Sequence, residues 1–179
     1  MNIVLAAHIE RIHYEEVTMP RKKYAPFLII LLCMFLFGTW VSAAERFTDN
    51  NDGTVTDHQL GVMWAKTDNQ GNINWKQANL WVKYTFPDTL GKRYDNWRLP
   101  TLAELQSLYV QDKKYQGYET DCGQQVKIVS VIKLSCGWIW TSETSAIQAY
   151  IFNFHRGYSY SDRMVHNRDY RVLPVRNLK

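Results

Sequence analysis

The chain has 179 residues, room for one ordinary domain and hardly for two. Its composition is 46% hydrophobic and 21% charged, which excludes a disordered polyelectrolyte. A net charge of +4 is too mild to imply nucleic-acid binding by itself.

Residues 1–18 do not resemble any part of a secretory signal, and Met19, ahead of Pro20-Arg21-Lys22-Lys23, is a natural start; 1–18 therefore read as a gene-call extension. Residues 19–44 read as a secretory signal. Arg21-Lys22-Lys23 is a positive leader, Phe27 to Phe37 is an uncharged apolar block, and Val41-Ser42-Ala43-Ala44 supplies the small residues of a cleavage site after Ala43 or Ala44. The alternative is an uncleaved anchor helix, since Phe27 to Ala44 is just long enough to span a bilayer. Cys33 lies inside the apolar block behind bulky Leu32, which disfavours lipidation. The expectation is export, to the periplasm, cell surface or medium, of a mature domain spanning 45–179. Because the first 44 residues carry four basic and three acidic side chains, that domain keeps an excess of about three positive charges.

In the mature part, Arg46-Phe47-Thr48 and Thr54-Val55-Thr56 are β-type runs. They flank Asp49-Asn50-Asn51-Asp52-Gly53, a tract suited to a tight hairpin. Gly61 to Ala65 predicts a third strand. From Asn74 to Tyr84 the apolar spacing becomes helical, with Trp75, Ala78 and Trp81 or Val82 on one face, Asn74 as cap and Pro87 as terminator. Thr101-Leu102-Ala103-Glu104 is a capping box opening a second helix, buried through Leu102, Leu105, Leu108 and Tyr109. The segment from Val126 to Leu134 is compatible with a strand or an irregular excursion. Further strands are expected at 137–142, at 149–154, at 158–160 after an Arg156-Gly157 turn, and at 170–176. Pro174 inside the last one argues for an edge or a bulge. Two helices with short strands on both sides make an α+β domain whose terminal strands are expected to pair.

With Cys33 removed, Cys122 and Cys136 remain. An even count in an oxidising compartment reads as one disulfide, closing a loop worth about 3 kcal/mol. No cysteine or histidine pair at zinc spacing accompanies them.

The order of five segments carries a resemblance. They are Arg46 to Asp57, Gly61-Val62-Met63-Trp64, Asn96-Trp97-Arg98-Leu99-Pro100-Thr101-Leu102-Ala103-Glu104-Leu105, Trp140-Thr141-Ser142, and Val172-Leu173-Pro174-Val175-Arg176. Over about 46–176 the chain resembles the Lcl C-terminal domain family, named after a collagen-like bacterial adhesin. The resemblance implies a fold like the C-type lectins and the formylglycine-generating enzymes. It also implies exported proteins, some of which bind sulfated glycans at the cell surface. It carries no catalytic residues, and the collagen-like repeats of the namesake are missing here.

Three clusters invite a chemical interpretation. Asp49 to Asp57 holds three aspartates and two asparagines but fails the calcium-loop pattern, because Gly53 as sixth residue would put Thr48 first and Gln59 twelfth; a solvated hairpin turn is the better account, and no metal or cofactor is expected. In Trp97-Arg98-Leu99-Pro100 the apolar residues alternate onto one face, with Arg98 free to meet an internal carboxylate. The best functional candidate is the segment from His155 to Arg176, where arginines and tyrosines interleave. Guanidinium groups grip sulfate or carboxylate through paired N–H donors, and tyrosine faces suit sugar rings. Arg156, Tyr158, Tyr160, Arg163 and Arg168 are therefore the expected contact surface for an anionic glycan or another cell-surface ligand, against a solvated face in which Arg171 and Arg176 form internal ion pairs. The alternatives are a structural subunit of an envelope complex, which would show a large contiguous apolar patch near this hairpin, and an uncharacterised enzyme, which would show a deep pocket holding two titratable groups. No nucleophile elbow, zinc-binding helix or phosphate loop supports catalysis. Asp57, His58 and His155 are available as acid or base groups but stand alone.

Overall fold

A computed structural model describes residues 45–179, so the expectations for the extension, the signal and Cys33 lie outside the described residues. Two four-stranded sheets and two short helices build the domain. Strands β1 (Phe47–Asp49), β2 (Thr54–Asp57) and β3 (Val62–Ala65) form the predicted antiparallel meander, with Phe47 opposite Asp57 and Val55 opposite Trp64. The β1–β2 turn closes as its residues dictate. The Asp49 carboxylate accepts from the Asn51 amide at 3.0 Å, and Asn51 takes the left-handed conformation at φ 57°.

Helix α1 (Trp75–Leu80) starts at Asn74, whose side chain accepts from the Gln77 amide at 2.9 Å. Ala78 and Val82 are buried and Trp75 and Trp81 half-buried, as the spacing predicts. Pro87 does not end the segment. The helix widens into a π turn at Trp81–Thr85 and tightens into a 3-10 turn at Phe86–Thr89, and Pro87 sits in the opening of that turn, where its missing N–H is harmless. Helix α2 (Leu102–Leu108) has the reciprocal capping box, with Thr101 Oγ1 accepting from the Glu104 amide at 3.2 Å and Glu104 Oε2 accepting from the Thr101 amide at 2.7 Å. Leu105 and Leu108 are fully buried, and the helix packs on the second sheet.

Between α2 and the second sheet the chain is mostly irregular. A two-stranded ribbon, β4 (Tyr118–Glu119) with β5 (Gln125–Val126), is followed by an excursion that buries Ile128, Ile132 and Leu134 without a regular ladder. The Cys122–Cys136 disulfide ties the β4–β5 turn to the residues just ahead of the second sheet, with the two Cα atoms 5.3 Å apart.

The second sheet has the order β8-β7-β6-β9. Strands β6 (Trp138–Ser145), β7 (Gln148–Asn153) and β8 (Tyr158–Arg163) are antiparallel, and β9 (Tyr170–Arg171) lies parallel to β6. The single closing strand expected over 170–176 is in fact two. After β9 the chain leaves the second sheet, and β10 (Val175–Asn177) joins the first beside β3, with Val175 opposite Trp64. Pro174 lies at the changeover, where it has no ladder to interrupt, and its carbonyl accepts from the Ala65 amide at 2.9 Å. The terminal strands share a sheet but sit on its opposite edges, β1 and β10, rather than pairing with each other.

One core links the layers, with Trp64, Trp140, Phe152, Phe154, Leu105 and Leu173 fully buried. The result is a small α+β domain.

Candidate functional site

The β7–β8 hairpin presents the candidate surface. Its tip is set by Asn153, whose side-chain oxygen accepts from the amides of His155 at 2.8 Å and Arg156 at 3.2 Å. Gly157 closes the turn at φ 73°, and a Cβ there would lie 2.5 Å from the Tyr109 ring, so no larger residue fits.

Register then decides which side chains meet. Trp138, Asn153 and Tyr158 stand opposite one another across β6, β7 and β8, and so do Trp140, Ile151 and Tyr160; Tyr170 faces Trp138 from β9. Residues directly opposite share a face of the sheet. Tyr158 and Tyr160 therefore lie on one face with Trp138 and Tyr170, their own ring centroids 6.0 Å apart. Trp138, Tyr160 and Tyr170 line a concavity of about 150 Å³, which Arg168 and Asp169 complete from the loop before β9. Tyr158, 45% exposed, extends the aromatic surface toward the tip, where exposed Arg156 stands.

Arg163 does not join them. In a strand where 158, 160 and 162 point one way, 159, 161 and 163 point the other. Arg163 thus projects from the opposite face, opposite Gln148. Of the five expected contact residues, the structure brings Tyr160 and Arg168 to one concavity, sets Tyr158 beside Tyr160 on the same face, places Arg156 at the hairpin tip and sends Arg163 to the other face. Trp138 and Asp169 are residues of this concavity that sequence reasoning missed. Nothing in the local pattern marks Trp138 beyond its strand, because its place here depends on pairing with β7 and β9.

On the same face of β8 as Tyr158 and Tyr160, Asp162 belongs to a polar cluster. The Tyr170 hydroxyl donates to the Asp162 carboxylate, whose other oxygen meets His166 Nδ1 at 2.8 Å. Burial drives the Tyr170 hydroxyl far above the ordinary tyrosine range, and its bond to Asp162 adds to the rise. Burial also pushes Asp162 upward, but its bonds from Tyr170, His166 and the Arg163 amide outweigh that, and the carboxyl ionises below its usual range. Tyr160 is raised as well, chiefly by burial.

The remaining candidates are accounted for within the fold. Asp57 pairs with Arg46 at 2.7 Å, Asp49 with Lys66, and Asp52 accepts from the Tyr94 hydroxyl at 2.7 Å, so the acidic hairpin already spends its charges on neighbours. His58 Nε2 meets Thr48 Oγ1 at 2.8 Å, and His155 Nδ1 meets the Gln125 carbonyl at 2.6 Å. Trp97 and Leu99 are buried, and Arg98 meets its internal carboxylate in Glu104, through two bonds of 2.7 and 2.8 Å. Arg171 is buried and donates to Ser135 Oγ at 2.9 Å and to Asn72. Neither Arg171 nor Arg176 forms an ion pair among the described residues, so the internal pairs of the alternative, solvated-face reading are not formed.

Among the described residues, no helix is long and apolar enough to cross a membrane. No curated protein and no solved structure matches this chain. The family model of the Lcl C-terminal domain matches residues 53–176, from the first hairpin turn to β10. The chain belongs to the Lcl C-terminal domain family.

Proposed function

We propose that this domain is an exported glycan-binding module. Its sugar platform is the aromatic face of Trp138, Tyr158 and Tyr160, and Arg168 and Arg156 take the anionic groups of a sulfated or carboxylated saccharide. The observation that carries the proposal is the concavity in which Trp138, Tyr160 and Tyr170 meet the Arg168 guanidinium. Flat rings give a sugar apolar contact at little entropic cost, and a guanidinium adds paired donors. Asp162, half-buried on β8, is occupied by Tyr170 and His166, and Asp169 is the acidic residue lining the concavity. Export is supported by the 19–44 signal pattern and by the disulfide. A C-type-lectin-like arrangement is supported by family membership and by the return of β10 to the N-terminal sheet.

Binding is favoured over catalysis by the state of the groups at the site. A general acid or base works best near the operating pH, whereas Asp162 and Tyr170 are driven in opposite directions away from it. The cysteines, which the related formylglycine chemistry would need free, are joined to each other. The test is retention of the full chain on heparin across a salt gradient, because ionic contacts fade as the screening length shrinks. Arg156→Ala with Arg168→Ala elutes at lower salt than the parent, and Arg163→Ala, on the other face, elutes with the parent. Co-elution of the double variant with the parent contradicts the proposal.

A second reading, an interaction subunit of an envelope complex, is favoured by one observation. Leu80 and Tyr84 are 60% and 70% exposed beside Ile73 and Trp81, in an open apolar groove along α1 and the π turn. It predicts a cross-linked partner that Leu80→Asp releases while heparin retention stays unchanged.

A further inference from the structure

A second concavity lies at the edge of the first sheet, where β10 meets the Asn96–Arg98 segment. It has a volume of about 310 Å³ and is lined by Asn96, Arg98, Arg176, Asn177 and Lys179. The two segments are brought together by backbone bonds between Arg98 and Val175 of 2.9 and 3.1 Å. Three of the five lining residues are cationic, and no carboxylate side chain lines it.

Arg98, Arg176 and Asn177 are each fixed by a neighbour, while Lys179 is exposed. Glu104 grips Arg98 from outside the lining, and Arg98 Nη2 also donates to Asn177 Oδ1 at 2.8 Å. With its oxygen so engaged, Asn177 has its amide nitrogen left to donate. Arg176 is anchored through Nε to the Asp95 carbonyl at 2.9 Å, with its guanidinium 5.4 Å from the centre of the Tyr94 ring. On that ring also sits Lys92, its Nζ 5.0 Å from the centre. Among the described residues neither Arg176 nor Lys179 pairs with an acidic side chain. Glu104 balances one of the three side-chain cations, so the side chains leave a net positive balance, and Arg98, Arg176 and Asn177 are donors already held in place. Held donors bind an anion without first losing rotamer freedom.

We infer that this concavity is an oxyanion site, taking a sulfate, phosphate or carboxylate group between Arg176, Asn177 and Lys179, with Arg98 fixing the geometry. It does not depend on the aromatic surface of the second sheet.

The test is a titration of the full chain with inorganic sulfate, inorganic phosphate and acetate in separate arms at constant ionic strength, followed by the side-chain NMR signals of Arg176 and Asn177. A saturable response is expected, weakened about tenfold by Arg176→Gln, the loss typical of one charge-assisted hydrogen bond, and weakened also by exposed Lys179→Gln. The arm that binds most tightly identifies the chemistry of the group. Arg168→Ala leaves the response unchanged, which separates this site from the glycan surface. No saturable response in any arm, or affinity unaltered in both Arg176→Gln and Lys179→Gln, overturns the inference.

Discussion

Glu104→Ala removes three hydrogen bonds at once. Glu104 accepts from the Thr101 amide at 2.7 Å and from both terminal nitrogens of Arg98, at 2.7 and 2.8 Å. The capping half of this arrangement is worth about 1 kcal/mol. Removing one partner of a fully buried ion pair costs about 3–5 kcal/mol, whereas an exposed pair contributes about 1 kcal/mol or less. Side-chain exposures of 34% for Arg98 and 14% for Glu104 put this pair between those limits, at about 2 kcal/mol. The expected loss for Glu104→Ala is therefore about 3 kcal/mol. Glu104→Gln keeps one acceptor oxygen for the Thr101 amide but loses the charge and turns the other oxygen into a donor facing Arg98, for about 2 kcal/mol. Urea unfolding of parent and variants at neutral pH, followed by tryptophan fluorescence, measures both. A Glu104→Ala variant within about 0.5 kcal/mol of the parent would refute the reasoning.

Acid unfolding carries a related signature. Burial raises Glu104 and Asp57, but their bonds to Arg98 and Arg46 and to nearby amides leave both carboxyls below their ordinary values. A depressed folded value means that the contribution is complete above about pH 4.3, the unfolded carboxylate range, and is lost as pH falls through the folded values. Glu104→Gln should therefore flatten the acid limb of the stability profile, and an unchanged limb in urea midpoints taken from pH 6 to pH 2 would count against it. Reducing the Cys122–Cys136 bond, whose ends are 14 positions apart, should lower stability by about 3 kcal/mol, read as a drop in urea midpoint on adding reductant. Gly117→Ala should cost more than about 3 kcal/mol, because the new Cβ would stand 1.8 Å from the Val126 carbonyl oxygen at a backbone φ of 69°; the fraction folded by circular dichroism checks it. Trp138→Ala should weaken heparin retention without altering the sulfate response of Arg176.

Much of the fold was legible wherever one local rule and the tertiary structure agree. The β1–β2 hairpin follows from its Asp-Asn-Gly turn, and α2 from a capping box and an apolar stripe within a few residues. Where burial comes without a ladder, sequence period fails. Ile128, Ile132 and Leu134 are core residues of an irregular loop, so their spacing signals neither strand nor helix. The two-sheet path of 170–177 is likewise hidden, because Pro174 reports only that a ladder is interrupted and not where the chain goes next. In the candidate site, alternation along β8 would have separated Arg163 from Tyr158 and Tyr160, so that correction was available from the sequence. Trp138 and Asp169 were not, since only the pairing of β6 with β7 and β9 brings them beside Tyr160. Arg98 and Arg176 show the same limit, being 78 positions apart in the chain and brought together by the Arg98–Val175 bridge.

Amide and indole chemical-shift mapping of the full chain, titrated with a heparin-derived oligosaccharide, locates the ligand surface residue by residue. Saturable shifts are expected to centre on Trp138, Tyr158, Tyr160 and Arg168, with Arg163 and Gln148 on the other face unmoved. Shifts confined to Asn96, Arg98 and Arg176, or none at all, would contradict the claim that the tyrosine face of the second sheet is where this domain meets its ligand.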